Sequence, residues 1–138
     1  MRSIVVAAVL TLGATACSKA DRPSPTAHEV NVPAVSVDEV EQKIAAGDCV
    51  PVDANPSRTR KRLGTLPGAV LLTDYETFSL SELPADKSKP LVFYCTNVHC
   101  TASDEAAAKA RTAGYVNVKV MPEGIAGWVK AGKKVQAL

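Results

Sequence analysis

Apolar positions from residue 36 onward fall into two alternating rhythms. Val37, Val40 and Ile44 share one face at helical spacing. Ser36-Val37-Asp38-Glu39 has the form of a capping box, in which the Ser hydroxyl takes an N–H at the helix start and Glu39 reaches back. Gly47 is a natural stop for this helix. A short strand is predicted over Cys49–Asp53, although Pro51 would sit awkwardly in a central strand because it donates nothing to a ladder. Leu66-Pro67-Gly68-Ala69 reads as a turn into a second strand that ends at Leu72, and Tyr75–Leu83 as a short helix ended by Pro84. Leu91-Val92-Phe93-Tyr94 is a continuous apolar run, the pattern of a parallel strand covered on both faces. An Ala-rich helix follows from Ala102 to Ala113, closed by Gly114; then come a strand over Val116–Val120 and a last helix near Ile125–Ala131 that stops at Gly132. Repeated alternation of strand and helix implies an α/β fold of three layers, with a mainly parallel central sheet flanked by helices.

The pattern breaks before residue 35. Arg2 gives a short positive start, and Ile4 to Leu12 form an apolar run too short for a permanent span, which needs about 20 residues. Small residues and then Cys17 follow, so residues 1–16 read as a secretory signal peptide. Ala14-Thr15-Ala16-Cys17 resembles a bacterial lipobox, in which the cysteine is lipidated and becomes the new N-terminus. The other reading is an ordinary signal peptide that leaves Cys17 a plain thiol. Under the lipobox reading the protein is exported and held to a membrane by acyl chains, facing the periplasm; each buried methylene supplies about 0.8 kcal/mol. Residues 17–34 are then the lipidated cysteine and a flexible tether, with Pro23, Pro25 and Pro33 among small polar neighbours. His28 lies in that tether and is expected to be solvated. Residues 35–138 remain for one globular domain.

The composition excludes several functions. A formal charge of +2 and 4% aromatic residues leave no basic patch and little stacking surface for nucleic acid. Removing residues 1–16 takes away Arg2 alone and lowers the charge to +1. Cys17, Cys49, Cys95 and Cys100 are too few and too unevenly spaced for a disulfide scaffold.

The chemistry is expected at one junction. In parallel α/β sheets the ligand sits beyond the carboxyl ends of the strands. The strand ending at Tyr94 runs into Cys95-Thr96-Asn97-Val98-His99-Cys100-Thr101, and a helix starts at once. Unpaired N–H groups and the positive end of a helix favour a thiolate there, and can cradle an anion. Position alone leaves Cys95 two readings: a nucleophile, or a small buried residue ending a strand.

Tyr94-Cys95, a short loop, and Thr101-Ala102-Ser103 opening an Ala-rich helix resemble the active-site region of rhodanese-like domains. Three more segments agree in order: Val52-Asp53 at a strand end, the Leu66-Pro67-Gly68-Ala69 turn, and Gly114-Tyr115 through Met121-Pro122-Glu123-Gly124-Ile125-Ala126-Gly127-Trp128 to Ala131-Gly132. The resemblance implies a sulfurtransferase without cofactor or metal. Cys95 attacks a small sulfur donor, carries a persulfide and passes sulfur to a thiol acceptor. The loop from Thr96 through Asn97, Val98, His99 and Cys100 to Thr101 forms the anion cradle, and Asp53 is structural support. The chain departs from the family pattern in lacking an arginine in the loop and one shortly after the strand-end aspartate, where Asn55 stands. Arg58, Arg60, Lys61 and Arg62 read either as a positive rim or as a solvated loop. Thr101 stands where related cysteine phosphatases place arginine, which argues against phosphatase activity. Cys100 admits three readings: a thiol that resolves an oxidised or persulfidated Cys95, a soft-metal ligand with Cys95 and His99, or an inert packing residue. A tight loop aims three ligands poorly, so no metal is expected. The alternative to an enzyme is a catalytically idle module that binds a partner or senses thiol redox state through Cys95 and Cys100.

Overall fold

The structure, a computed structural model, describes residues 31–138. The signal peptide, Cys17, His28 and most of the tether lie outside the described residues. Among the described residues four α-helices and four strands follow in the order α1 (Val37–Ala46), β1 (Val50–Asp53), α2 (Ser57–Leu63), β2 (Val70–Leu71), β3 (Leu91–Tyr94), α3 (Ala102–Thr112), β4 (Val118–Val120) and α4 (Gly124–Lys130). The strands form one parallel sheet in the order β2-β1-β3-β4. Helices cover both faces, the three-layer α/β architecture the sequence predicts.

The period-two alternation of strand side chains sorts the core. Leu91 and Phe93 of β3 join Val52, Val118 and Val120 beneath α3, whose Ala106, Ala107 and Ala110 let helix and sheet approach closely. Val92 and Tyr94 point the other way, to Val37 and Val40 of α1 and to Ile125 and Trp128 of α4. Cys95 continues the Leu91–Phe93 parity and therefore enters the α3 layer.

Pro51 does lie in a central strand. Val50 donates to Pro90 O and Ala54 to Tyr94 O, both toward β3, so the Pro51 nitrogen faces the β2 side. There β2 begins only at Val70, opposite Val52, and no ladder bond is lost.

Four expectations are corrected. Tyr75–Leu83 forms no α-helix. Asp74 Oδ1 accepts the amides of Glu76 and Thr77, both at 2.9 Å, and the Glu82 carboxylate accepts those of Ser79 and Thr73. These side chains compete with helical bonding, and only Leu80–Glu82 closes as a 3₁₀ turn. The cationic run at Arg58–Arg62 is not a loop but helix α2. Glu39 does not reach back to complete a capping box. Ser36 Oγ accepts the Glu39 amide at 3.3 Å, while the Glu39 carboxylate pairs with Lys43 and with Lys119 of β4. The last strand starts at Val118, because Val116 and Asn117 are exposed and the Val116 amide turns to Lys87 O.

Candidate functional site

Cys95 sits one residue past the carboxyl end of β3 and is 1% exposed. Its Sγ–H donates to Cys100 O at 3.1 Å, and the Ser103 hydroxyl donates to its sulfur at 3.4 Å. The loop is folded by its own polar groups. Asn97 Oδ1 accepts the His99 amide at 3.0 Å, and Asn97 O accepts the Cys100 amide at 3.0 Å. No group among the described residues accepts from the amides of Thr96, Asn97, Val98 or Thr101. Val98 (66% exposed) and His99 form the exposed tip, Thr101 is exposed, and Thr96, Asn97 and Cys100 are half-buried. The Cys95 and Cys100 thiols are both free.

The start of α4 locks the loop from behind. Ile125 and Ala126 donate to Cys95 O and Thr96 O, each at 2.9 Å. Gly124, at φ +60°, makes this approach possible: a Cβ there would meet Cys95 O at 2.5 Å and the Thr96 carbonyl carbon at 2.6 Å.

Beside the loop lies a buried polar network centred on Asp53, which the sequence reading gave as structural support without naming Tyr94, Asn55 or Arg60 as its partners. Asp53, wholly buried, accepts from the Tyr94 hydroxyl at 2.7 Å and the Asn55 amide at 2.7 Å. Tyr94 Oη in turn accepts the Leu66 amide at 3.0 Å, which ties the Leu66–Ala69 turn to the sheet. Burial, then the Asp53 carboxylate, push the Tyr94 phenol far above its usual range, so it remains a donor. Arg60 from α2 is buried and donates to Asp53 O at 2.9 Å and Leu72 O at 2.8 Å, with its Nε 3.4 Å from Asp53 Oδ1. Of the four clustered cations only Arg60 turns inward, and it serves main-chain carbonyls rather than the loop; Arg58, Lys61 and Arg62 are exposed. Helical spacing of that run was the one available signal for an inward-facing member. Asn55 carries the network to the loop, since its Oδ1 accepts from the Thr96 hydroxyl at 2.7 Å while its Nδ2, also buried, has no partner. A cleft of about 140 Å³ opens here, lined by Ala54, Asn55, Pro56, Thr73, Asp74 and Tyr75.

The electrostatics of Cys95 reverse one expectation. Burial pushes its thiol up to about 11, the neighbouring Cys100 side chain adds to the rise, and Ser103 pulls the other way through hydroxyl and amide. Asp104 and Glu105 stand in the first turn of α3. The resting group is thus a protonated thiol that donates to a carbonyl. Among the described residues no three His, Cys, Asp or Glu side chains converge on a point that could hold a metal.

A family model for the rhodanese-like domain matches residues 36–131, and the chain belongs to that family. No curated protein matches it. Among solved structures it resembles the rhodanese-like domain of an Anabaena sp. protein (18% identity, TM-score 0.64), covering 78% of this chain and 81% of that one. It also resembles a thiosulfate sulfurtransferase from Pseudomonas aeruginosa (20% identity, TM-score 0.63), over 77% of this chain but 20% of that one. A human single-domain sulfurtransferase matches at 22% identity and TM-score 0.56, over 72% of this chain and 97% of that one.

Proposed function

We propose that the protein is a rhodanese-type sulfurtransferase in which Cys95 carries the transferred sulfur as a persulfide. The observation that carries this reading is the placement of Cys95. It closes β3 beneath the Ser103 hydroxyl, at the mouth of a loop whose Thr96, Asn97, Val98 and Thr101 amides have no acceptor among the described residues. Such amides stabilise an anionic outer sulfur as an oxyanion hole stabilises oxygen. Two of the structural relatives bear sulfurtransferase names, one for thiosulfate. The donor and the acceptor thiol are small molecules or exposed cysteines. The loop from Cys95 to Thr101 has no Lys or Arg, and Asp74 lines the adjacent cleft. Both features disfavour a dianion such as thiosulfate and favour a donor of lower charge, such as a small-molecule persulfide.

The protein works outside the cytoplasm in this reading. The support is the sequence of residues 1–17, with its apolar run and lipobox-like end. Replacing Cys17 with Ser is expected to move the chain from the membrane fraction to the soluble fraction when cells are lysed without detergent.

One observation favours a second reading, a binding or redox-sensing module. Cys95 is almost wholly enclosed and its Sγ–H is held by Cys100 O, so the thiol, not the thiolate, is the favoured form. Intact mass after incubation with a persulfide donor separates the two. Gain of a sulfur atom that is absent in Cys95→Ser and released by cyanide supports the enzyme. No gain in reduced wild type sinks it and leaves the module.

A further inference from the structure

Simple sulfur transfer needs no second thiol, yet the fold places the Cys100 main chain beside Cys95 Sγ. Its carbonyl lies 3.1 Å from Cys95 Sγ. The bond lengths between a carbonyl oxygen and its own Cα then bring Cys100 Cα within about 5.5 Å of that sulfur. The loop is turned back to achieve this by the Cys100 amide on Asn97 O and the His99 amide on Asn97 Oδ1. Cys95 is almost wholly enclosed while Cys100 is half-exposed, so an outside thiol meets Cys100 more readily than the inner sulfur. Cys49, the other free thiol of the described residues, stands level with Pro90 at the opposite end of the sheet and cannot substitute.

We propose that Cys100 is a resolving thiol that discharges the Cys95 persulfide inside the loop, expelling hydrogen sulfide and leaving a Cys95–Cys100 disulfide. The proposal rests on the persulfide reading above. The Cys100 sulfur, after losing its proton to solvent, attacks Cys95 Sγ, the inner sulfur, which the loop holds within about 5.5 Å of Cys100 Cα. The Sγ–outer sulfur bond breaks, and the outer sulfur leaves with the bonding electron pair and takes up a proton. The net change is Cys95–S–SH plus Cys100–SH to Cys95–S–S–Cys100 plus H₂S. The sulfane sulfur is the oxidant and is reduced to sulfide, while the two cysteine sulfurs are oxidised to the disulfide. An external dithiol resets the pair by exchange at the half-exposed Cys100 sulfur, the more accessible of the two. The loop is then a one-shot converter of sulfane sulfur to sulfide, whose rearming depends on a reductant.

The test uses the reduced full chain, loaded without oxygen with glutathione persulfide and freed of excess donor. Sulfide is trapped with a bimane, and the peptide that contains both cysteines is weighed after alkylation. Wild type is expected to release one sulfide per chain, and its peptide to lose two hydrogens and take no alkylating group. Cys100→Ser is expected to keep the extra sulfur on Cys95 and to release none until a thiol is added. If wild type holds its persulfide as long as Cys100→Ser does, with Cys100 still open to alkylation, the resolving role is overturned and the persulfide reading stands. If Cys100→Ser itself gains no sulfur on Cys95 and wild type forms no disulfide, both fall together.

Discussion

At the scale of single residues, Cys95 shows how burial outweighs favourable placement. A strand-end cysteine before a helix has the dipole and the amides on its side, but desolvation acts on the whole charge of a thiolate enclosed to 99%. Reaction of Cys95 with iodoacetamide is therefore expected to rise about tenfold per pH unit, with no plateau before roughly pH 11. A plateau near neutrality would contradict this account. The same shift affects stability. The thiol's folded-state pKa lies above its ordinary 9.0. Its contribution is therefore fully present below that value and lost as pH rises toward 11. The difference in urea midpoint between wild type and Cys95→Ala should accordingly shrink over that window. Ser103→Ala removes the hydroxyl that opposes the rise. It should slow labelling by roughly threefold to tenfold at fixed pH, the worth of one ordinary hydrogen bond.

At the scale of elements, two contacts hold the loop and its neighbours in register. Gly124→Ala forces a Cβ into the Cys95 and Thr96 carbonyls at a backbone angle that L-residues rarely adopt. The neighbours are main chain and cannot step aside, so the expected cost is about 2–4 kcal/mol, with the loop displaced. A urea midpoint unchanged from wild type would show that α4 does not buttress the loop. Helix α2 is short and mostly solvated, and Arg60 is its one buried tie to β1 and to the residue after β2. Arg60→Ala strips donors from two buried carbonyls and leaves the Asp53 carboxylate without its cation, for about 3–5 kcal/mol in denaturant melts.

At the scale of the molecule, one sheet separates two apolar layers that have to fold together. Phe78 lies in the α3 layer, under the Lys109 ammonium at 4.3 Å from the ring centre, while Trp128, the chain's single tryptophan, lies in the other layer. Phe78→Ala should cost about 3–5 kcal/mol. It should shift the midpoint reported by Trp128 fluorescence as far as that reported by far-ultraviolet dichroism, because β3 is shared by both layers. Separate midpoints would mean that the layers melt independently. Trp128 also fixes the C-terminal segment: its indole N–H donates to Lys134 O at 2.9 Å, and Gln136 pairs with Thr65 in both directions.

Order and type of the main elements were legible from local pattern alone. The continuous Leu91–Tyr94 run, the Ala-rich helix after it and the glycines at 47, 114 and 132 each act through neighbours in sequence, and so does the strand-to-helix junction that singles out Cys95. Where side chains compete with the backbone, as Asp74 and Glu82 do against a helix over Tyr75–Leu83, periodicity misleads, because the deciding hydrogen bonds obey no period. Tertiary structure alone decided the rest. Arg60 is an inward cation only because the fold brings its side chain to Asp53 O and Leu72 O, and the Asp53–Tyr94 contact joins residues 41 positions apart. The protonation of Cys95 depends on how many atoms other segments pack around it, and its contact with Cys100 on how the loop is folded. A residue's type and spacing specify what chemistry it can do; desolvation and long-range partners, which exist only in the folded chain, specify which of those states it occupies.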